Sequence, residues 1–201
     1  MRDFLRWTAP LAAAAAFLVL DRAPGRADPP PPDGAIEVLF APTGKDRRIE
    51  AAIMDELDRA KKTVDIAIFQ FTSTALSDKV ASVRKRARVR ILFDGEQARD
   101  MNRRDAPCRR LPGLKGIEAK FVELPGSGQE APKFHHKFCV IDGATVITGS
   151  YNWTVLGDEA NHENLLIIRD AATAQKYAAQ FEAVWADAGL AKPVEKPGEG
   201  K

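Results

Sequence analysis

The first half of the sequence alternates strand-like and helix-like segments, and this alternation limits the possible fold more than any other feature. Apolar, β-branched runs at residues 35–40, 64–71 and 89–94 have the composition of strands. Between them, residues 45–63 and 73–87 carry apolar side chains at helical spacing. This β-α-β-α-β order predicts an α/β fold with a mainly parallel mixed β-sheet flanked by helices on both faces.

The second half predicts shorter elements, because Gly and Pro interrupt it after residue 95. Four further strands are expected, at residues 118–124, 136–142, 144–150 and 163–170. The dipeptide Asp142-Gly143 predicts a tight hairpin between the second and third of these strands. A helix at 171–188 would complete a single domain at 35–190, followed by a disordered tail at 191–201.

The N-terminal segment has the order of a secretory signal peptide. Two arginines precede the apolar run 11–20, and a small-residue site ends at Ala27. A signal peptide at 1–27 and a stiff Pro-rich linker at 28–34 are therefore predicted, in an exported protein that is periplasmic or secreted. The alternative is an uncleaved membrane anchor, although the run is shorter than the roughly 20 apolar residues of a spanning helix.

Net charge gives no general attraction to polyanions once residues 1–27 are removed. That segment carries four of the 30 Lys and Arg and two of the 28 Asp and Glu residues, which leaves 26 of each. Attraction to a polyanion must therefore come from local basic patches, at residues 84–90 and 103–110. A solvated surface is the ordinary explanation of such patches, and nucleic-acid binding is the functional one.

Two cysteines, Cys108 and Cys139, could form one disulfide in an exported protein. Cys139 lies in an apolar run, where a single cysteine acts as a small hydrophobic side chain. Two free thiols are therefore expected. The sequence contains no CxxC pair and no Cys/His spacing typical of a metal site.

The predicted hairpin carries polar side chains within an apolar, β-branched region. Since side chains alternate along a strand, His135 and Lys137 project from the same face. After the hairpin, Gly149 allows the chain to turn, and Ser150 and Asn152 then add a hydroxyl and an amide. Each residue alone has an ordinary structural explanation, but together they suit a tetrahedral phosphate.

The spacing of these residues resembles the HKD motif of the phospholipase D superfamily. The positions that carry the resemblance are His135, Lys137, Asp142, Gly149, Ser150 and Asn152, with Glu163 further along the chain. The resemblance covers about residues 36–186 and is greatest to members with one motif per chain, namely small exported bacterial nucleases and the mitochondrial cardiolipin hydrolase group. It implies a phospholipase D-like fold and hydrolysis of phosphodiester bonds.

The resemblance also implies a role for each side chain of the site. His135 would attack phosphorus and form a phospho-histidine intermediate. The non-bridging phosphate oxygens would be bound by Lys137, Ser150 and Asn152. Glu163 would accept the other ring proton of His135 and fix its tautomer. No metal or other cofactor is expected, because the ammonium and amide groups supply the positive field.

Asp142 and Gly149 are expected to be structural members of the motif. Asp142 projects from the strand face opposite His135, which indicates a turn and ion-pair residue rather than a catalytic base.

A single histidine cannot be both the nucleophile and the acid behind the leaving oxygen. The sequence has two other histidines, His136 and His162, and strand alternation turns them away from His135 and Glu163 respectively. The simplest solution is a twofold homodimer in which both copies of His135 share one active site, as the single-motif resemblance also implies.

Three functions remain compatible with the sequence. The first is an endonuclease acting on DNA or RNA, favoured by the basic patches and by export. The second is a phospholipase D acting on phospholipid headgroup esters, which an N-terminal membrane anchor would favour. The third, a non-catalytic nucleic-acid-binding module, explains the complete set of site residues less well, because binding needs no oriented nucleophile.

Overall fold

A computed structural model describes residues 34–101, 106–126, 128 and 130–194 of the chain. The described strands are β1 Ile36–Ala41, β2 Thr63–Ile68, β3 Arg88–Asp94, β4 Ile117–Val122, β5 Lys137–Ile141, β6 Thr145–Gly149, β7 Glu163–Ile168 and β8 Ala191–Pro193. The described helices are α1 Arg48–Arg59, α2 Thr74–Val83, α3 Gly95–Asp100, α4 Pro107–Arg110, α5 Val155–Glu159 and α6 Ala171–Ala186. The predicted signal peptide lies outside the described residues, as does the linker up to residue 33.

The strands form one mixed sheet in the order β1-β7-β6-β5-β2-β3-β4-β8. The prediction of a mixed α/β sheet is confirmed, but the expectation that it is mainly parallel is wrong. Only the pairs β2–β3 and β3–β4 are parallel, and the other neighbouring pairs are antiparallel. β1 and β2 point in the same direction but are not neighbours. An antiparallel meander of β5, β6 and β7 lies between them.

Helices cover both faces of the sheet, as the sequence predicts. One core cluster joins α1 and α2 to the sheet and includes Ile53 and Leu76, which are fully buried. The other joins α6 to the opposite face through Ala174 and Phe181. The helical spacing of apolar residues therefore marks the core-facing side of each helix. Within the described residues, no helix is both long and apolar enough to cross a bilayer.

Several boundaries differ from the sequence prediction. Residues 191–193 form β8 against β4, so the ordered domain extends past residue 190, and residues 195–201 lie outside the described chain. The helices α3 and α4 were not predicted, because short helices leave little periodic signal.

The predicted surface patch at 84–90 also needs correction, because Arg90 is buried. Its guanidinium pairs with Asp65 at 2.7 Å and contacts Glu182 on α6. Arg90 therefore joins the sheet to α6 and is not part of a solvated basic surface.

Both cysteines are free and buried, as expected. Cys139 lies in the cluster beneath α1 and α2, and burial raises the pKa of its thiol well above the ordinary value. Burial also raises the pKa of Cys108. Both thiols are therefore packing groups of the core rather than reactive ones.

The hairpin between β5 and β6 is fastened to the start of β2 by Asp142. The carboxylate of Asp142 accepts hydrogen bonds from the backbone N–H groups of Lys61, Lys62 and Thr63, at 2.8, 2.7 and 2.9 Å. Asp142 has a positive φ of 54°, as a tight turn requires. The structural role of this residue agrees with the sequence analysis, although its partners are backbone groups where an ion pair was expected.

Gly149 ends β6 at a point where a side chain has no space. Its φ is 151°, and a Cβ atom there would lie 2.2 Å from the backbone carbonyl oxygen of Asn164. Because the obstructing atom is part of the neighbouring strand β7, it cannot move without disturbing the sheet. This close approach, together with the backbone turn, explains the glycine.

We expect Gly149→Ala to destabilise the protein by about 3 kcal/mol or more, because backbone strain and a steric clash add together. Gly143→Ala is the matched control, since Gly143 also has a positive φ but has open space where a Cβ atom would lie. We expect it to cost only about 1 kcal/mol. Chemical denaturation of the three proteins measures both values, and equal losses would show that the close approach to Asn164 is unimportant.

Candidate active site

The motif residues other than Asp142 lie at the end of the sheet where β2 and β3 finish and β5 begins. Lys137 is the first residue of β5 and pairs with Ile68, the last residue of β2. The backbone continues this pairing, because the N–H of Phe69 donates to the carbonyl oxygen of His136 at 2.8 Å. This edge carries the carboxyl ends of the parallel strands, where α/β proteins commonly bind ligands.

His135 and Lys137 lie side by side at this edge, as predicted from strand alternation. The Nζ atom of Lys137 is 3.1 Å from Nδ1 of His135 and donates to the carbonyl oxygen of His135 at 3.0 Å. The ring of Phe69 lies beneath both groups, 4.5 Å from the imidazole and 5.0 Å from the ammonium. His135 is exposed, so its ring is accessible to a substrate.

His136 takes the opposite direction, which confirms the predicted alternation. Its ring packs edge-on between those of Phe134 and Phe138, with centroid distances of 5.1 and 5.2 Å. His136 is therefore a packing residue on the α6 side of the sheet. His162 is exposed on the loop before β7.

Ser150 and Glu163 are joined to each other in the structure. The Ser150 hydroxyl donates to a carboxylate oxygen of Glu163 at 2.5 Å, and the backbone N–H of Asn164 donates to Ser150 at 3.0 Å. No hydrogen bond joins His135 to Glu163 in the described part of the chain, so the orienting role of Glu163 stays a prediction. The cause is local: Ser150 and Lys137 already occupy the two groups that were expected to pair.

Asn152 lies on the turn that follows β6 and faces the end of β2. Its side-chain oxygen accepts from the backbone N–H of Gln70 at 3.3 Å, and the N–H of Trp153 donates to the Gln70 carbonyl at 3.1 Å. Trp153 is buried and anchors this turn. With its oxygen engaged, the amide NH₂ of Asn152 is the donor that is left for a substrate.

Asp94 is a site residue that the sequence analysis missed. One carboxylate oxygen caps α3 through the N–H of Gln97, and the other accepts from the N–H of Phe134, both at 2.9 Å. Asp94 therefore fixes the backbone immediately before His135. The helix-capping role could have been predicted from the sequence, because an Asp followed by Gly-Glu-Gln is a typical helix N-cap. The contact with Phe134 could not, because that residue lies 40 positions away.

The electrostatics of the site favour a neutral imidazole. Burial and the charge of Lys137 lower the pKa of His135, against a smaller opposite effect of Asp94. Burial also lowers the pKa of Lys137, while the charge of Glu163 raises it. A neutral ring beside an ammonium, a hydroxyl and an amide can combine nucleophilic attack with anion binding.

The described residues contain no cluster of three or more His, Cys, Asp or Glu side chains that could hold a metal ion. Magnesium and calcium prefer oxygen ligands, and the carboxylates at this end of the sheet are Glu163 and Asp94. Each already accepts a hydrogen bond, from the Ser150 hydroxyl and from the backbone N–H of Phe134 respectively.

Comparison of the sequence with known families gives a match over residues 53–185 to the family described as cardiolipin synthase, PLD-like domain. The chain is also similar to mitochondrial cardiolipin hydrolases. It is 31% identical to the Xenopus tropicalis protein over 63% of this chain and 56% of the relative, and 33% identical to the Chlamydomonas reinhardtii protein over 66% and 55%. The chain thus spans a little over half the length of these relatives.

Two solved structures show the same fold over nearly their whole length. NucT from Helicobacter pylori matches with a TM-score of 0.68 and 21% identity, over 80% of this chain and 100% of that protein. Nuc from Salmonella typhimurium, described as a phospholipase D family member, matches with a TM-score of 0.66 and 21% identity, over 81% and 99%. At this identity the likeness establishes the fold.

We expect Lys137→Met to raise the pKa of His135, because the substitution removes a positive charge 3.1 Å from the ring. The pKa can be measured by NMR titration of the imidazole, with the resonance identified by its loss in His135→Asn. Lys133→Met is the matched control, since Lys133 lies two residues on the other side and pairs with Glu96. It should give a smaller shift, and an unchanged pKa in Lys137→Met would contradict the proposed coupling.

Proposed function

The chain belongs to the phospholipase D superfamily, and on that premise we propose that it is a phosphodiesterase that cleaves nucleic acid as an endonuclease, through a phospho-histidine intermediate and without a metal. The observation that carries the proposal is the exposed imidazole of His135, whose pKa is lowered next to the ammonium of Lys137. Such a pair provides both a nucleophile and a partner for phosphate oxygens.

Substrate binding has to exchange two hydrogen bonds of the site. An ammonium group can only donate, so Nδ1 of His135 accepts from Lys137 and the ring proton lies on Nε2. A phosphate that attracts Lys137 and Ser150 releases both Nδ1 and the carboxylate of Glu163. Glu163 is near enough to influence the pKa of Lys137. The ring proton then moves from Nε2 to the released Nδ1 by exchange with water, Nδ1–H donates a hydrogen bond to Glu163, and the lone pair of Nε2 is free to attack.

The reaction then proceeds in two balanced steps. Nε2 of His135 forms a bond to phosphorus while the bond to the leaving oxygen breaks. That oxygen takes a proton from a second imidazole, which the negative charge of the bound phosphate keeps protonated. Water next attacks the phospho-histidine and gives its proton to the second imidazole, which is now neutral. The P–N bond breaks, and a phosphomonoester is released.

The second imidazole comes from another copy of the chain in this proposal. His136 packs between aromatic rings and His162 lies on the exposed loop before β7, so we take His135 of the partner subunit as the acid. The edge strand β1 offers a surface for such a dimer, because Ile36, Val38 and Phe40 are 54, 39 and 71% exposed. This apolar row ends where Phe40 pairs with Asn164, next to Ser150, so a copy bound there lies beside the site.

Nucleic acid is proposed as the substrate because α4, the second helix after β3, carries two arginines and no acidic residue. Arg99 lies on α3, and Arg109 and Arg110 lie on α4. Arg103 and Arg104, which belong to the same predicted patch, lie outside the described residues. A phospholipid headgroup ester is the second candidate, favoured by relatives that are named mitochondrial cardiolipin hydrolases.

Export to the periplasm or the medium is part of the same proposal. It depends on the signal-peptide pattern of residues 1–27. An uncleaved N-terminal anchor would instead hold the domain at a membrane and would suit the lipid substrate better.

A substrate panel in excess EDTA tests the function. It comprises single- and double-stranded DNA, RNA, phosphatidylcholine, cardiolipin and an aryl phosphodiester, each with wild-type protein and with His135→Asn. We expect hydrolysis of nucleic acid and of the aryl ester by the wild type, and a loss of at least about a thousandfold in His135→Asn. Mass spectrometry of the enzyme quenched during turnover should find phosphorus on His135.

Three results would contradict parts of this proposal. Turnover restricted to the lipids would replace the nuclease by a phospholipase. Inactivation by EDTA that one divalent ion reverses would remove the metal-independent mechanism. Near-normal rates in His135→Asn, with a folded protein by circular dichroism, would show that the nucleophile is another residue.

Mixed dimers test whether the site is shared. Wild-type chains co-refolded with an excess of His135→Asn chains form dimers with one histidine at the site, which lack either the nucleophile or the acid. We expect activity per wild-type chain to fall steeply as mutant is added. The control is a His135→Asn chain that also carries Phe40→Asp, a substitution chosen to weaken the interface of a folded domain. It should inhibit the wild type less. Activity proportional to the wild-type chains alone would mean that each chain works independently.

A further inference from the structure

A basic pocket lies at the other end of the sheet, where β2, β3 and β4 begin. It has a volume of about 360 Å³ and combines five cationic side chains with one carboxylate. The charged lining residues are Lys62, Arg84, Lys85, Arg86, Arg88 and Glu118. We refer to this feature as the distal pocket. Its charge is far from balanced, and none of its members belongs to the HKD motif.

Two of the arginines that line the distal pocket are held in place by backbone carbonyl groups. Arg86 donates to the carbonyl oxygens of Leu57 and Ala60 at 2.9 and 3.1 Å, which caps the end of α1. Arg84 donates from Nη1 to the carbonyl of Lys115 at 3.0 Å, while its Nε is buried and has no hydrogen-bond partner among the described residues. A buried donor without a partner is costly, and an anion in the pocket would supply one.

The remaining cations are free to bind a ligand. Lys62, Lys85 and Arg88 are exposed, and within the described chain no ion pair involves any of them. Three unpaired cations that border a cavity differ from a flat solvated surface, because a bound anion could contact several of them together. A phosphate group has the charge and the several acceptor oxygens that such a pocket suits.

The position of the distal pocket relates it to the active site through α2. This helix begins next to the site, after Ser73, and ends at Val83, immediately before the pocket. Its ten residues span about 15 Å at 1.5 Å per residue. Since successive nucleotides of one strand in a duplex are about 3.4 Å apart, a strand must extend roughly five steps from the reactive phosphate to reach the pocket.

We infer that the distal pocket binds a backbone phosphate of a nucleic-acid strand whose reactive phosphate lies at His135. The inference rests on the proposed nuclease function and adds a length requirement to it. Substrates too short to reach past α2 gain nothing from the pocket, whereas longer strands bind more tightly. The pocket therefore contributes to affinity for long strands and has no part in the chemical step.

The test compares two pairs of exposed lysines with the same change of charge. Lys62→Glu/Lys85→Glu alters the distal pocket, and Lys176→Glu/Lys192→Glu is the control on α6 and β8. Binding of a single strand of about 20 nucleotides is measured in the His135→Asn background. We expect the pocket pair to weaken binding at least about fivefold and to flatten the salt dependence by about 1 to 2 in log–log slope, because phosphate contacts are lost. The control pair should change both much less.

A trinucleotide completes the test with the wild-type residue at 135. Both lysine pairs should leave its turnover unchanged, since it cannot reach the distal pocket. Equal weakening of long-strand binding by the two pairs would overturn the inference, as would equal losses for long and short substrates. If the wild type hydrolyses no nucleic acid, the proposed function fails, while the binding comparison still decides whether the pocket holds a strand.

Discussion

The position of His135 depends on a carboxylate at the far end of β5, the strand that follows it. Asp142 accepts three backbone hydrogen bonds from the start of β2, and this contact fixes the register of β5 against β2. A shift of one residue would move both His135 and Lys137 to the opposite face of the sheet, away from Ser150 and Glu163. Asp142 thus supports the geometry of the candidate site, although the whole length of β5 lies between them.

The polar side chains of the candidate site are paired with one another. Lys137 pairs with His135, and Ser150 pairs with Glu163. Each pair joins a donor that suits phosphate oxygens to a group that the proposed reaction needs free. By attracting these donors, a bound phosphate would free both the nucleophilic ring of His135 and the carboxylate of Glu163 that orients the ring.

The sequence predicts those features of the fold and site that depend on neighbouring residues. Alternation along one strand places His135 beside Lys137 and turns His136 away. The turn after the hairpin likewise predicts the structural role of Gly149. The order of the strands was not predicted, because it depends on pairings between distant segments, such as β1 with β7. Asp94 and Phe69 escaped notice for the same reason: their contacts with the histidine segment form only in the folded chain.

The pairing of β1 with β7 also determines when this domain can finish folding. Ile36 pairs with Ile168, a separation of 132 residues, although β1 precedes every other described strand along the chain. Until β7 exists, β1 has no partner strand for its backbone hydrogen bonds. Contacts this distant in sequence form slowly, so the chain should remain open until almost all of it has emerged. Late pairing at this edge would keep the domain incomplete through most of its synthesis.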